Sequence, residues 1–202
     1  MKQPVGVILA GGQATRMGGG DKGRLLLGGR SLLSRVIERI EPQVAALALN
    51  ANGDPSRFAD LGLPVLPDPV TGYPGPLAGV LAGMEWAASQ GADHVVTVAA
   101  DTPFLPEDLV PRLLLAAEGR APIVLASSVV EGRETRHPTF GLWSVSLREA
   151  LRAALDRGER KVGQWAEQQG AALARFPSGP VDPFFNINTP EDLVRAEERV
   201  ER

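Results

Sequence analysis

The chain contains no cysteine, so disulfides and thiolate metal sites are excluded whatever the compartment. It has no basic excess: 21 Lys and Arg face 24 Asp and Glu, a net charge of −3. Proteins whose affinity comes mainly from covering phosphate backbones are strongly basic, so nucleic acid is not an expected partner. No apolar run approaches the ~18–20 residues that cross a bilayer, so no membrane is expected either. The N-terminal apolar run at positions 5–10 stops at Gly11-Gly12. It is too short for a signal h-region and reads as a buried strand, which makes a cytoplasmic protein the default expectation. No internal repeat, low-complexity tract or linker divides the 202 residues, and a single domain over 1–202 is expected.

What is present is an ordinary globular balance, 44% apolar and 22% charged, punctuated by many Gly and Pro. Short apolar runs at 5–10, 44–49, 63–66, 95–100, 123–126 and 139–143 suit strands covered on both faces, hence a mostly parallel sheet. Between them Leu32, Leu33, Val36, Ile37 and Ile40 recur at helical spacing. Leu77, Val80, Leu81 and Met84 do the same, as do Leu147, Ala150, Leu151, Ala154 and Leu155. Thr189 before Pro190, Glu191 and Asp192 marks the start of a last helix. A further helix is expected from about Pro111, and the polar stretch 129–138 reads as a mobile loop. Strands alternating with helices through right-handed crossovers give a three-layer α/β sandwich.

In such sheets ligands bind beyond the carboxyl ends of the strands, so the turns after strands carry the functional signal. The first strand runs into a loop holding Gly11, Gly12, Gly18, Gly19, Gly20 and Gly23, interleaved with Arg16 and Lys22. Glycines let backbone N–H groups converge on phosphate oxygens, and the two cations suit a polyphosphate. The segment 18–23 satisfies G-x-G-x-x-G, but the dinucleotide fingerprint belongs directly after the strand. A Walker A loop would need Gly-Lys-Ser/Thr, whereas Lys22 is followed by Gly23.

The segment from Leu9 to Gly19, Leu-Ala-Gly-Gly-x-x-x-Arg-Met-Gly-Gly, with Asp21-Lys22-Gly23 after it, resembles the signature loop of the nucleotidyltransferase superfamily. Further blocks occur in order: Asn50-Ala51-Asn52, the stretch from Tyr73 to Gly79, the stretch from Asp101 to Pro106, the stretch from Arg136 to Thr139, and Asn186 to Leu193. Together they resemble the molybdenum cofactor guanylyltransferase family across nearly the whole chain. The resemblance implies a Rossmann-like sandwich of the nucleotide-diphospho-sugar transferase type. It also implies nucleotide contacts at Leu9, Ala10, Gly11, Gly12, Lys22, Asn50, Asp68 and Asp101, with Arg16, Lys22 and Asp101 catalytic. Where the family has Cys before the acid, this chain has Ala100, so no thiol chemistry is needed.

An apolar strand ending in Asp101 presents one carboxylate to the same crevice, and a hard cation such as Mg²⁺ prefers oxygen ligands. Asp101 before Thr102-Pro103 equally suits a turn. Asn186 and Asn188 alternate along a strand-like 184–188 and share a face, with Asn188 the candidate second metal ligand. Asp68 can accept hydrogen bonds from the guanine N1–H and amine; flanked by Pro67 and Pro69, it also suits a turn. For an anionic pterin phosphate, Arg136 and His137, and later Arg160 and Lys161, are the candidate contacts. Singly they also fit solvated surface charges, and Trp143 and Trp165 fit the core. The expected reaction is transfer of GMP from GTP to the terminal phosphate of molybdopterin bearing molybdenum, releasing pyrophosphate. The expected partners are these two substrates and, in passing, other molybdenum cofactor proteins, with the chain a monomer. The alternatives are a sister enzyme using CTP or a sugar phosphate, a non-catalytic cofactor carrier, and a dinucleotide oxidoreductase, the last disfavoured by the displaced glycines.

Overall fold

The computed structural model describes residues 2–11, 21–70, 72, 75–118, 120–130, 132–177 and 182–200. The apolar run near the N-terminus forms strand β1 (Val5–Leu9). After the undescribed stretch come a 3-10 turn at Lys22–Arg24 and a small hairpin, β2 (Leu26–Leu27) with β3 (Arg30–Ser31). Gly28 and Gly29, both at positive φ, close this two-residue turn, a conformation only glycine adopts without strain. Helix α1 (Leu32–Ile40) starts where the Ser31 hydroxyl accepts the Ser34 amide, and buries Leu32, Leu33, Val36 and Ile40. Then follow β4 (Leu47–Asn50), a 3-10 stretch at Pro55–Leu61, β5 (Val65–Leu66) and helix α2 (Pro76–Ser89). The second half is β6 (His94–Ala99), α3 (Leu109–Ala117), β7 (Ile123–Val130), β8 (Arg133–Ser144), α4 (Arg148–Asp156), α5 (Val162–Gln168), β9 (Ala172–Phe176) and α6 (Pro190–Val200).

Among the described residues seven strands form one sheet, ordered β5-β4-β1-β6-β8-β7-β9. All neighbours run parallel except β8, which is antiparallel to both β6 and β7. Strand residues alternate between the two faces as the pleat requires. Ile8, Val96, Val98, Val124 and Leu142 pack with α1 and α3, whereas Val5, Val7, Val95, Leu125 and Trp143 pack with α2, α4 and α5. The expected three-layer sandwich is therefore what forms. Trp143 and Trp165 stack in the second layer at 6.3 Å and are core. No helix among the described residues is long and apolar enough to cross a membrane.

Three sequence expectations are corrected, and two elements went unread. The described residues of 129–138 are mostly strand and not a mobile loop: β7 runs to Val130 and β8 starts at Arg133, pairing Val130 with Arg133 and Ser127 with Arg136. Their charges belong to the open side of an antiparallel ribbon, where Glu134 accepts from Ser127 and Arg175. Helix α3 begins at Leu109, with Pro111 in the first turn, where a missing N–H breaks no helical bond. The segment 184–188 is irregular rather than a strand, anchored by Ile187 N–H donating to the Asp101 carbonyl at 3.0 Å. Strand β9 and helix α5 were not anticipated, because their short, mixed patterns match neither periodicity.

Candidate active site

The chain order reverses between β1 and β6: β4 and β5 lie on one side of β1, and α2 carries the chain back to the other. That switch point opens a cleft of about 250 Å³ at the carboxyl ends of the parallel strands. It is lined by Leu9, Ala10 and Gly11 at the end of β1 and by Ala99, Ala100 and Asp101 at the end of β6. Backbone bonds from Ala10 N–H to the Asn50 carbonyl (2.9 Å) and from Ala100 N–H to the Leu9 carbonyl (3.1 Å) hold the three strand ends together.

One end of the cleft is an amide–carboxylate cluster. Buried Asn50 donates through Nδ2 to the Leu66 carbonyl (3.0 Å) and to Asp68 Oδ1 (2.9 Å). Asn52 donates to Asp68 Oδ2 (2.7 Å) and accepts the Asp68 amide on its own oxygen (2.9 Å). Each carboxylate oxygen of Asp68 thus has a fixed partner and keeps lone pairs for a further donor. Nearby the cleft is lined by Gly75 and Pro76, which open the fourteen-residue helix α2. The positive end of its dipole favours an anion there.

The other end is a charged triad. Lys22 Nζ donates to Asp101 Oδ2 at 2.6 Å and to Asn188 Oδ1 at 2.5 Å, bringing together residues from three distant parts of the chain. Lys22 and Asp101 are mostly buried, with side-chain exposures of 16% and 19%. Asn188 is held by the cap of α6: Asp192 Oδ2 accepts the amides of Asn188 and Thr189, while Thr189 Oγ1 accepts the Asp192 amide. Asn186 also lines the cleft.

The sequence profile of the MobA-like NTP transferase domain matches residues 6–172. The chain belongs to the MobA-like NTP transferase family. A molybdenum cofactor guanylyltransferase of Cereibacter sphaeroides is 54% identical over 193 residues, 95% of this chain and 94% of that one. Among solved structures, molybdopterin-guanine dinucleotide biosynthesis protein A from Archaeoglobus fulgidus superposes with a TM-score of 0.72 at 24% identity, covering 98% of each chain. The 2-C-methyl-D-erythritol 4-phosphate cytidylyltransferase of Thermus thermophilus superposes with a TM-score of 0.72 at 23% identity over 100% of both chains, a likeness of fold.

Of the residues named from sequence as nucleotide contacts, Leu9, Ala10, Gly11, Lys22, Asn50, Asp68 and Asp101 all line this cleft. Asn188 joins them through Lys22. Gly12 and Arg16 lie outside the described residues. The acceptor candidates sit elsewhere. Arg136 is ion-paired with Glu167, and His137 stacks on Phe184 at 4.1 Å and bonds Ser128 Oγ at 2.8 Å. Arg160 turns back onto the Leu155 and Glu159 carbonyls, and with Lys161 it borders a separate open depression beside Trp165. None of these four is among the residues lining the cleft. Sequence reasoning missed Asn52, Gly75 and Thr139. All three stood inside the motif blocks that carry the family resemblance. Thr139 is placed by a buried relay in which Trp143 Nε1 donates to Thr97 Oγ1, which donates to the Thr139 carbonyl.

The donor set fits a small hard cation. Asp101 Oδ2 and Asn188 Oδ1 converge on one point, where the Lys22 ammonium shows that positive charge is accommodated. Oxygen donors of this kind suit a hard cation such as Mg²⁺, which commonly completes its shell with water and substrate phosphates. No cluster of three or more His, Cys, Asp or Glu is present among the described residues.

The only two histidines sit outside the cleft and predict a pH dependence of stability. Burial pushes both imidazoles below their ordinary value, with Asp182 opposing it at His137 and Asp93 at His94. His94 Nδ1 is buried without a hydrogen-bond partner among the described residues. The unfolded chain therefore binds more protons than the fold between the depressed and ordinary values. Stability from this source is complete above about pH 6.5 and falls as pH drops below it. Urea midpoints are expected to decline from pH 7.5 to 5.5, less so in a His94→Gln/His137→Gln variant; a flat wild-type profile would refute this.

Proposed function

We propose that this chain transfers the GMP moiety of GTP to the terminal phosphate of molybdopterin bearing molybdenum, releasing pyrophosphate. The observation that carries the reading is the single cleft, with a clasped carboxylate at one end and a lysine–carboxylate–amide triad at the other. The near full-length relative at 54% identity that bears the guanylyltransferase name supports the choice of substrates.

Asp68, its oxygens oriented by Asn50 and Asn52, accepts the N1–H and exocyclic amine of guanine. Adenine, with an acceptor at N1, would set a lone pair against that carboxylate instead of a donor. Backbone N–H groups at Gly11 and at the start of α2 meet phosphate oxygens, and Lys22, on a flexible stem, neutralises charge that builds on the leaving pyrophosphate. Gly12 and Arg16 belong to the same proposed phosphate cradle. Asp101 and Asn188 are the residues that would hold a magnesium ion, which supplies Lewis acidity and charge neutralisation at the phosphates when bound. The acceptor phosphate brings its own nucleophilic oxygen. It attacks the α-phosphorus, the bond between α-phosphorus and bridging oxygen breaks, and no protein nucleophile or base is required. Catalysis is alignment and electrostatics. Arg136, His137, Arg160 and Lys161 are proposed only as outer contacts of the bulky pterin, and the cytoplasm as the compartment.

The test is thermal melting with Mg²⁺ and each of GTP, ATP, CTP and UTP, followed by pyrophosphate release with purified cofactor. GTP at a hundredfold excess over its dissociation constant stabilises the fold by about 2.7 kcal/mol, and the others far less. Selective stabilisation by CTP would transfer the reading to a cytidylyltransferase. Binding of GTP without pyrophosphate release would make the chain a carrier.

A further inference from the structure

The two ends of the cleft are joined from outside by one side chain that the proposed chemistry does not use. Arg57, in the Pro55–Leu61 stretch, pairs through Nη1 with Asp21 Oδ1 at 3.0 Å, and Asp21 immediately precedes Lys22. Through Nη2 it donates to the Asn52 carbonyl at 2.6 Å, and through Nε to the Asp54 carbonyl at 3.1 Å. Asn52 is the residue whose side chain clasps Asp68. A second contact fixes the same two segments: Arg24 binds both oxygens of Asp60 and also the Arg57 carbonyl. The Arg24 and Arg57 guanidinium groups lie 5.3 and 5.0 Å from the ring centroid of buried Phe58.

We propose that Arg57 is a positioning residue that sets the spacing between the base-reading carboxylate Asp68 and the phosphate-side lysine Lys22. This rests on the reading that GTP spans the cleft from one to the other. A planar guanidinium bonds Asp21 and the Asn52 carbonyl at once, so a displacement of either recognition point strains the other. A nucleotide that must engage both then meets them already in register, and the ordering cost of binding falls. Arg57 is exposed, and isolated surface ion pairs add little stability, so its loss should change GTP recognition more than folding.

Kinetics of the full chain with GTP, Mg²⁺ and molybdopterin test this. Arg57→Met is expected to raise KM for GTP about tenfold with kcat at saturation nearly unchanged, and Arg57→Lys, which can make only one of the two links and so cannot tie the segments together, to raise it by a similar factor. Asp21→Asn is the decisive arm. Deleting an acid beside a triphosphate site should by charge alone lower KM, whereas loss of the link should raise it. The double variant should match Arg57→Met alone, because both cut the same link. If Asp21→Asn leaves KM unchanged or lowers it while wild type turns over GTP, the positioning role falls and the functional reading stands. If wild type neither binds GTP nor releases pyrophosphate from it, the functional reading itself falls. Should Arg57→Met fail to fold, Arg57→Lys and Asp21→Asn decide the matter.

Discussion

Lys22→Ala is expected to lower GTP-dependent pyrophosphate release by about 10²- to 10³-fold, and Asp101→Ala by a similar factor, with both proteins still folded. Lys22 and Asp101 form the polar end of the cleft at 2.6 Å, and each is mostly shielded from water. Charge placed there acts on the phosphates with little solvent screening. Because the two residues serve one arrangement with Asn188, the double variant should be far less than multiplicatively impaired. Pyrophosphate release under saturating GTP, with circular dichroism as the folding control, is the measurement. Near-normal turnover in either folded variant would remove the electrostatic mechanism.

Gly79→Ala is the second large expectation, and its effect falls on both stability and nucleotide recognition. A Cβ at Gly79, one turn into α2, would stand 2.3 Å from Asn50 Oδ1 and 2.8 Å from Leu9 Cδ2. Neither neighbour can retreat easily: Asn50 is 3% exposed and pinned between the Leu66 carbonyl and Asp68. Pushing it aside breaks buried hydrogen bonds and overpacks the helix–sheet contact, a combined cost of about 2–4 kcal/mol. Asp68 loses one of its two clasps, and KM for GTP should rise about tenfold or more, which corresponds to 1.4 kcal/mol or more of lost binding. Gly83→Ala is the matched control, one helical turn further on. Its nearest neighbours are Val7 Cγ2 at 3.2 Å and Val95 Cγ2 at 3.4 Å, so it should lose stability without changing KM. Urea denaturation and steady-state kinetics on the two variants separate the effects, and a wild-type KM in Gly79→Ala would contradict the role given to Asn50.

The cleft was legible from sequence because its parts sit at strand ends, and strand ends can be read locally. Leu9–Gly11 follows the first apolar run, Asn50 ends β4, Asp68 follows β5 and Asp101 follows β6. A parallel sheet delivers all of these to one edge; the strand pattern singled out the glycine loop and Asp101, and the family resemblance supplied Asn50 and Asp68. The charged stretch 129–138 was misread for the opposite reason. A strand exposed on one side and carrying salt bridges has the composition of a loop, and only its partner strand, here β7 against β8, shows that the backbone bonds are satisfied in a ladder. The acceptor candidates failed to converge because a basic residue on its own carries no address. Arg136 found Glu167, and Arg160 found backbone carbonyls of its own helix end.

By itself, then, the order of apolar runs and helical repeats determined the α/β sandwich and the mostly parallel sheet, since each shows in patterns a few positions long, and the strand-end turns pointed to the glycine loop and Asp101, while the remaining nucleotide contacts came from the family resemblance. Tertiary structure alone decided that Lys22 meets Asn188 across 166 positions, that Asn52 clasps Asp68, and that Arg57 ties the two ends together. Such pairings depend on how whole elements pack, and a side chain's partner at long range is chosen by that packing rather than by its neighbours in the chain.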